Sequence, residues 1–550
     1  MNTIRHQQNG EPASYRRSPD AETRPANSAQ DTEALHRSAD VFGGGRSGKD
    51  RDVNAGDLPG QEAADLRRSA GVRAAVVATK PGNSGGAKGG REANPQNASE
   101  REEPSPRVPE TDKQGEEALR QRLGAERGIW SERMLLALER GVKGNQWFSL
   151  IDKVYAPRTL EIAWEKVHDN AGACGVDGVT TEHFGKDIQS RLLAVNEHLM
   201  EGSYKPQAVK RVWIPKLGSP ELRPLGIPTV RDRVVQAALK MVIEPIFEHE
   251  FAEQSYGFRP GRSCHDALRR VDSLLRDGHV HVVDIDIKGY FDAIPWDKLM
   301  EEVSQHIADG RVLRLIEAFL RTEIREGDQC HKTQAGTPQG GVISPLLANI
   351  YLNPLDWIMH ECGFEMIRYA DDTVVLCKDA QSCQNAYEKV RAWMEQAGLQ
   401  LHPQKTRLVD MNRTGEWFDF LGYRFYRSKK GRLLRLVRDK SQKKLRETLK
   451  PSLRRNCGKC LAAVVAKINP ILKGWFAYFK QADVMALERV DKWVRGRLRS
   501  ILRRRCNRRG RGRGKDHQRW PNCYFDRLGL FCLIHARERE LNSLRHGAKC

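Results

Sequence analysis

The segment Tyr369-Ala370-Asp371-Asp372 constrains the fold of this chain most, because it sets two adjacent carboxylates between two apolar runs. The run before it covers residues 364–367 and the run after it covers residues 373–376. Both runs favour β-strands, so the polar pair falls where a β-hairpin turns. Aspartate is also common in ordinary turns, which is the alternative interpretation of this segment taken alone.

A second acidic strand favours a metal site over an ordinary turn. Residues 279–287 form an apolar run that ends in carboxylates, and Asp284 and Asp286 share one face of it because side chains alternate along a strand. Carboxylate oxygens are the protein ligands that Mg²⁺ prefers. One carboxylate of this strand, facing the Asp371-Asp372 hairpin, would complete a two-metal site. Such a site activates a 3′ hydroxyl and stabilises a leaving pyrophosphate.

Positive charge is concentrated in one part of the chain. The formal net charge of the 550 residues is +21, and residues 421–520 contain 32 Lys and Arg against 6 Asp and Glu. This stretch therefore has a net charge of +26, and the remainder of the chain has −5. A concentrated basic region is typical of proteins that bind polyanions.

Composition and hydrophobic periodicity divide the chain into four segments. Residues 1–112 are rich in Gly, Ser, Asn, Pro, Arg and Glu and predict a disordered extension. Residues 113–425 alternate strand-like and helical runs, which indicates an α+β fold. Residues 426–505 contain three amphipathic helical runs, with a break predicted at Pro470 between the first and the second. Residues 506–550 form a basic C-terminal segment with an apolar stretch near its middle.

Targeting signals and metal-binding cysteine patterns are not apparent in the sequence. We find no run of about 18 apolar residues and no apolar segment at the N-terminus, so we expect no membrane partner and a cytoplasmic location. The twelve cysteines are scattered, and the pair Cys457 and Cys460 has no second pair at zinc spacing. These are expected to be free thiols in a reducing compartment.

Several ordered motifs together resemble those of group II intron reverse transcriptase–maturases, over roughly residues 125–535. The motifs that carry the resemblance are residues 222–233, 256–262, 286–292, 336–353, 369–372, 420–423 and 469–479. The resemblance implies a right-hand polymerase, with fingers and an antiparallel palm sheet in 113–425. It also implies a helical thumb or maturase domain in 426–505 and a DNA-binding tail in 506–550.

The resemblance implies roles for individual residues as well. The carboxylates that match the metal-binding catalytic set, for which two Mg²⁺ ions are expected, are Asp286, Asp371 and Asp372. The residues that match contacts to the incoming nucleotide are Lys216, Arg223, Phe291 and Gln339. The residues that match the primer grip are Phe420, Leu421 and Gly422. Phe291 matches the aromatic ring that leaves no room for a 2′ hydroxyl and so selects deoxynucleotides.

The implied activity is DNA synthesis on an RNA template, together with binding of intron RNA to assist splicing and intron mobility by target-primed reverse transcription. The implied partners are intron RNA, a DNA target and primer, and deoxynucleoside triphosphates. Arg495 and Arg499, on the third helical run, are predicted to face outward and contact RNA. Only 30 residues follow Trp520, without zinc-spaced cysteine pairs, so no endonuclease is expected.

Three other functions are weighed against this interpretation. The first is an RNA-binding splicing factor whose polymerase has decayed, which the three intact aspartates disfavour. The second is a retron or diversity-generating reverse transcriptase, which would typically lack the segment around Gly474 and Trp475. The third is an RNA-templated RNA polymerase, which Phe291 disfavours. The host intron, its insertion site and the oligomeric state stay open.

Overall fold

The fold is described by a computed structural model for residues 113–215, 222–510, 512 and 514–547. The predicted extension 1–112 and the nucleotide-contact candidate Lys216 lie outside the described residues.

Helices and strands follow one another as the α+β prediction requires. The helices are α1 Lys113–Leu123, α2 Glu132–Arg140, α3 Ile151–Tyr155, α4 Pro157–Asn170, α5 Thr181–Gly185, α6 Ile188–Glu201, α7 Val230–Glu250, α8 Cys264–Arg276, α9 Tyr290–Ala293, α10 Trp296–Ser304, α11 Gly310–Leu320, α12 Ser344–Glu361, α13 Ala380–Gln396, α14 Asp439–Leu449, α15 Leu461–Phe479, α16 Val484–Arg505, α17 Lys515–Arg519, α18 Asn522–Arg527 and α19 Leu533–Gly547. The strands are β1 Val209–Pro215, β2 Leu222–Ile227, β3 His281–Ile285, β4 Ile324–Glu326, β5 Gln329–His331, β6 Glu365–Tyr369, β7 Asp372–Cys377, β8 Arg407–Asp410, β9 Trp417–Phe420, β10 Tyr423–Arg427 and β11 Leu433–Val437.

The strands form three sheets. The sheet at the centre has the order β6-β7-β3-β8, and all of its pairs are antiparallel, as predicted for a palm. A second sheet, β2-β1-β4-β5, contains the antiparallel β1–β2 hairpin, with β4 parallel to β1. The third sheet, β11-β10-β9, leads from the palm into the helical segment.

The palm sheet lies between two hydrophobic clusters, because both faces of its central strands are apolar. On β3, Val283 and Ile285 pack into the cluster that contains the N-terminal helices. Val282, on the opposite face, packs into the cluster that contains β9, β10 and the C-terminal helices. Burial on both faces fixes the register of β3, since a one-residue slip would exchange the two faces. The carboxylate of Asp286, which directly follows Ile285, is thereby held at the end of β3.

The predicted break at Pro470 is wrong, because α15 continues through this residue. A proline inside a helix removes one backbone hydrogen bond and costs about 3 kcal/mol. In α15 the side chains of Leu461, Ile468 and Leu472, on both sides of the proline, are buried in the same cluster. Burial of each such side chain contributes about 1.5–3 kcal/mol, which outweighs the cost of the proline.

The C-terminal segment folds against the helix that precedes it. Its described part contains α17, α18 and α19, and Trp520, Phe525 and Leu533 are buried in the second cluster. Asp491 of α16 accepts hydrogen bonds from the backbone N–H groups of Leu533 and Ile534 at 3.2 Å, which caps the start of α19. Within the described residues, none of the helices is both long enough and apolar enough to cross a membrane.

Candidate active site

The Asp371-Asp372 segment lies in the predicted hairpin. Strands β6 and β7 are joined by the two residues Ala370 and Asp371, with Tyr369 paired to Asp372. Ala370 has a φ of 58°, in the left-handed region that favours glycine. The tight turn presents the carboxylate of Asp371 at the end of the palm sheet.

A buried arginine beneath the turn holds it in this conformation. Arg368 has no exposed surface and donates from Nη1 to the carbonyl oxygen of Ala370 at 3.1 Å. Its Nε donates to Asp356 at 2.8 Å, and Nη1 also donates to Asn349 at 2.9 Å. Sequence reasoning missed Arg368, although a charged residue inside a strand that is otherwise buried was a signal for it.

Asp286 lies beside this hairpin. Strand β3 pairs Ile285 with Thr373 of β7, so the next residues along the two strands, Asp286 and Asp372, lie opposite each other. The side chain of Asp286 is 40% exposed and forms an ion pair with Lys405 at 3.2 Å. Lys405 was also missed, because a lysine in a loop has no distinguishing pattern.

Charges of both signs act on the carboxyl group of Asp371. Burial raises the pKa of the Asp371 carboxyl, the negative charge of Asp286 adds to the rise, and the positive charge of Arg223 opposes it. Asp286 and Arg223 therefore both lie within electrostatic reach of Asp371. The structure thus gathers two aspartates from the palm and an arginine from β2.

Asp372 is directed to a different partner from Asp371. Its Oδ2 accepts a hydrogen bond from the backbone N–H of Leu421 at 3.0 Å. Burial raises the pKa of the Asp372 carboxyl to about 7; the Leu421 N–H opposes the rise, and the charges of Asp371 and Asp284 add to it. Asp284, the other carboxylate of β3, forms an ion pair with Arg407 at 3.0 Å.

The three primer-grip candidates form the turn between β9 and β10. Phe420 pairs with Tyr423, which leaves Leu421 and Gly422 as the two turn residues. Both have positive φ, 49° and 77°, as in the tight hairpin turns that match the twist of the flanking strands. The ring of Phe420 is fully buried in the second cluster, so this side chain supports the turn from below.

The nucleotide-contact candidates within the described residues, Arg223, Phe291 and Gln339, lie on three segments joined by hydrogen bonds. Gln339 donates from Nε2 to Asp292 at 3.2 Å, and its backbone carbonyl oxygen accepts from the backbone N–H of Gly226 on β2 at 2.6 Å. Thr337 donates its N–H to the carbonyl oxygen of Phe291 at 2.7 Å. These bonds connect the strand of Arg223, the loop of Gln339 and the helix of Phe291.

The acidic pair of Asp286 and Asp371 has the donor chemistry that a divalent cation needs, since two carboxylates raise each other's proton affinity unless a cation neutralises them. Among the residues that the structure describes, however, no three His, Cys, Asp or Glu side chains are gathered closely enough to hold a metal ion. One oxygen of Asp372 accepts a hydrogen bond from the backbone N–H of Leu421.

The prediction that Arg495 and Arg499 face outward is wrong. Their exposed fractions are 7% and 3%. Arg495 donates to the thiol of Cys532 at 3.2 Å, and Arg499 donates to the carbonyl oxygen of Trp520 at 2.9 Å. Both arginines lie next to the apolar stripe of α16, and the helices that follow α16 cover that stripe. Their charge binds the C-terminal segment to α16.

Two protein families match this chain in separate regions. Residues 214–425 match "Reverse transcriptase (RNA-dependent DNA polymerase)", and residues 442–520 match "Group II intron, maturase-specific domain". The group II intron-encoded protein LtrA of Lactococcus lactis subsp. cremoris is 40% identical over 234 residues, which is 40% of this chain and 37% of that protein. Protein YkfC of Escherichia coli K12 is 34% identical over 294 residues, 46% of this chain and 76% of that protein.

The chain belongs to the group II intron-encoded reverse transcriptase–maturase family. The reverse transcriptase match includes the three aspartates of the palm, and the maturase match includes α15 and α16. A telomerase chain from Candida albicans aligns with a TM-score of 0.33 at 14% identity, over 59% of this chain and 64% of that one. The two family matches together cover the palm and most of the helical segment.

Proposed function

We propose that this chain is an RNA-directed DNA polymerase that also binds intron RNA and assists its splicing. The observation that carries the polymerase half is the strand pairing of the palm sheet, which brings Asp286 at the end of β3 beside the turn that carries Asp371. We further propose that the chain supports intron mobility by target-primed reverse transcription, and that it acts in the cytoplasm.

In the proposed reaction, Asp286 and Asp371 hold Mg²⁺, with two ions expected and Asp372 as the third carboxylate of the set. Bound Mg²⁺ would supply Lewis-acid activation of the primer 3′ hydroxyl and charge stabilisation of the leaving pyrophosphate. The carboxylate of Asp286 is accessible to such an ion, because it is 40% exposed. Its ion-pair partner Lys405 is also exposed, at 58%.

The remaining residues position the nucleotide and the primer. Arg223 has the fixed charge and the fork of donors that bind phosphate oxygens. The half-buried ring of Phe291 packs against the first cluster and against Tyr290, at 5.5 Å between ring centres, so it forms a rigid wall for the deoxyribose. The Leu421-Gly422 turn would support the primer end above Asp372.

For the maturase half, we propose that intron RNA binds to the exposed cations of the helical segment. Lys440 and Lys443 of α14 are exposed, as is Arg504 near the end of α16. Arg508 and Arg509, in the loop after α16, are exposed as well. Because Arg495 and Arg499 are engaged inside the fold, these outer cations are better candidates for phosphate contacts.

The test combines two assays on one preparation. Purified protein is given a short RNA template with a DNA primer, Mg²⁺ and deoxynucleotides, and separately its own intron RNA. We expect template-directed DNA products in the first assay and salt-sensitive binding with faster splicing in the second. RNA binding without DNA synthesis would favour the splicing factor with a decayed polymerase instead.

A further inference from the structure

The turn of the primer grip contains a leucine in an unfavourable backbone conformation. Leu421 has a φ of 49°, in a region that residues with a Cβ rarely adopt. Such a conformation persists only where the surrounding structure holds it, and it is common where a protein positions a ligand. The groups that hold Leu421 therefore identify what sets the position of the turn.

Two side chains hold the backbone of Leu421 from opposite sides. Its N–H donates to Oδ2 of Asp372 at 3.0 Å, which ties it to the palm hairpin. Its carbonyl oxygen accepts from the hydroxyl of Tyr478 at 3.1 Å, which ties it to α15. The backbone N–H of Leu421 is thus bonded to the palm, and its carbonyl oxygen is bonded to the helical segment.

Tyr478 is itself rigidly placed. Its carbonyl oxygen accepts hydrogen bonds from the hydroxyl of Tyr423 at 2.6 Å and from Nε2 of His265 at 2.9 Å. Its ring stacks on that of Tyr423, at 6.3 Å between ring centres and an interplanar angle of 28°. His265 belongs to α8, beneath the palm sheet, and Tyr423 belongs to β10, so the end of α15 is fixed to both of these elements.

We propose that Tyr478 is a positioning residue for DNA synthesis, whose hydroxyl fixes the Leu421-Gly422 turn above Asp372 and thereby sets the position of the primer 3′ end. Because Tyr478 is the penultimate residue of α15, the same bond links the maturase helix to the primer site. A small displacement of α15 is therefore transmitted to the primer end. This inference rests on the proposed polymerase function.

The test compares two substitutions that each remove one hydroxyl from the same aromatic cluster. Tyr478→Phe removes the bond to the turn and retains the ring. Tyr423→Phe removes a bond to the backbone of Tyr478 and leaves the turn contact in place, so it is the matched control. Both variants are compared with the wild type as full chains, and thermal unfolding checks that each is folded.

Two readouts separate a positioning role from a merely structural one. In the first, without divalent cation, a primer–template duplex with 2-aminopurine at the primer 3′ end reports on the order of that end in the complex. In the second, steady-state extension gives the KM for primer–template and the KM for deoxynucleotide separately. A hydrogen bond of ordinary net strength corresponds to an effect of about three- to tenfold.

For Tyr478→Phe we expect a more mobile primer end and a KM for primer–template raised about three- to tenfold, with the KM for deoxynucleotide within about twofold. Tyr423→Phe should raise the KM for primer–template less than Tyr478→Phe does, because it loosens the backbone of Tyr478 but retains the hydroxyl bond to the turn. Wild-type behaviour of Tyr478→Phe, or an equal defect in Tyr423→Phe, would overturn the inference. Failure of the wild type to extend any primer would instead refute the proposed polymerase function.

Discussion

The guanidinium of Arg368 binds the carbonyl oxygen of Ala370 at 3.1 Å from a position without solvent exposure. Ala370 is the strained residue of the turn that carries Asp371, and Asp356, the ion-pair partner of Arg368, is fully buried as well. The position of the Asp371 carboxylate therefore depends on an ion pair that is buried in the protein core.

Replacing Arg368 with methionine should lower the free energy of unfolding by about 3–5 kcal/mol, because it leaves the charge of Asp356 buried without a partner. Replacing both residues, Arg368→Met with Asp356→Leu, should recover much of that loss. The measurement is urea denaturation of both variants. As a control, Arg391→Met on the exposed face of α13 should change the free energy by less than about 0.5 kcal/mol. A loss below 1 kcal/mol in Arg368→Met, on the scale expected for exposed pairs, would show that the pair does not support the hairpin.

Stability should also depend on the ionisation of Asp309. Burial alone raises the pKa of this carboxyl, but hydrogen bonds from the backbone N–H groups of Ile151, Leu150, Val312 and Arg311 outweigh burial and lower it. A lowered pKa in the folded state means that the stabilisation is present above the unfolded pKa, near 3.9, and is lost as pH falls through the folded value.

Asp309→Asn should therefore cost about 1–3 kcal/mol at pH 7. Both carboxylate oxygens of Asp309 accept backbone N–H groups, at the start of α3 and of α11, and the substitution replaces one of them with an NH₂ group that cannot accept. The difference in unfolding free energy between this variant and the wild type should shrink as the pH approaches the folded pKa. Urea titrations at a series of pH values measure it. A difference in unfolding free energy that stays constant down to the lowest pH of the series would exclude a role for the charge of Asp309.

The sequence predicted those parts of the fold that depend on local pattern. The hairpin around Asp371 was predictable because both flanking strands are apolar and only two residues remain for the turn. The outward position of Arg495 was mispredicted because helical periodicity alone does not show that α18 and α19 cover that side of α16. Pro470 was mispredicted for a related reason, since burial by distant residues outweighed a local helix-breaking preference.

Individual residues of the site could be predicted from the sequence only where they belong to a recognisable motif. The two acidic strands lie side by side in the palm sheet, with Asp286 at the end of β3 beside the turn that carries Asp371. The supporting groups Arg368, Lys405 and Tyr478 come from other parts of the chain. They join the site through single hydrogen bonds or ion pairs, and such contacts leave no periodic signal in a sequence.

Sugar selection tests the position of Phe291. Phe291→Val removes the ring that we propose fills the space of a 2′ hydroxyl. Incorporation of ribonucleotides relative to deoxynucleotides should therefore rise by about tenfold or more. This factor corresponds to the loss of about 1–3 kcal/mol of steric discrimination. The measurement is the ratio of kcat/KM for the two nucleotides on one RNA template. Tyr290→Phe, which alters the neighbouring buried aromatic, serves as the control. An unchanged ratio in Phe291→Val would mean that the ring only packs in the core.

The basic surface of α16 is tested by a salt titration of intron RNA binding. Each phosphate contact contributes about 0.7–0.9 to the slope of log K against log salt. Arg504→Ala with Arg508→Ala should therefore weaken binding and flatten the slope by about 1.4–1.8 if both contact phosphates. The control pair Arg314→Ala with Lys389→Ala removes two exposed cations outside residues 421–520. Equal effects of the two double variants would indicate a nonspecific response to net charge.

DNA synthesis by carboxylate variants tests the central claim most directly. Asp286→Asn and Asp371→Ala should each abolish extension of a DNA primer on an RNA template, because each removes a proposed metal ligand. Binding of intron RNA should stay within a few-fold of the wild type, since neither carboxylate belongs to the basic segment. Primer extension and RNA affinity are measured on the same preparations. Loss of extension with RNA binding retained is the predicted result, and primer extension at the wild-type rate in either variant would contradict the assignment of this site.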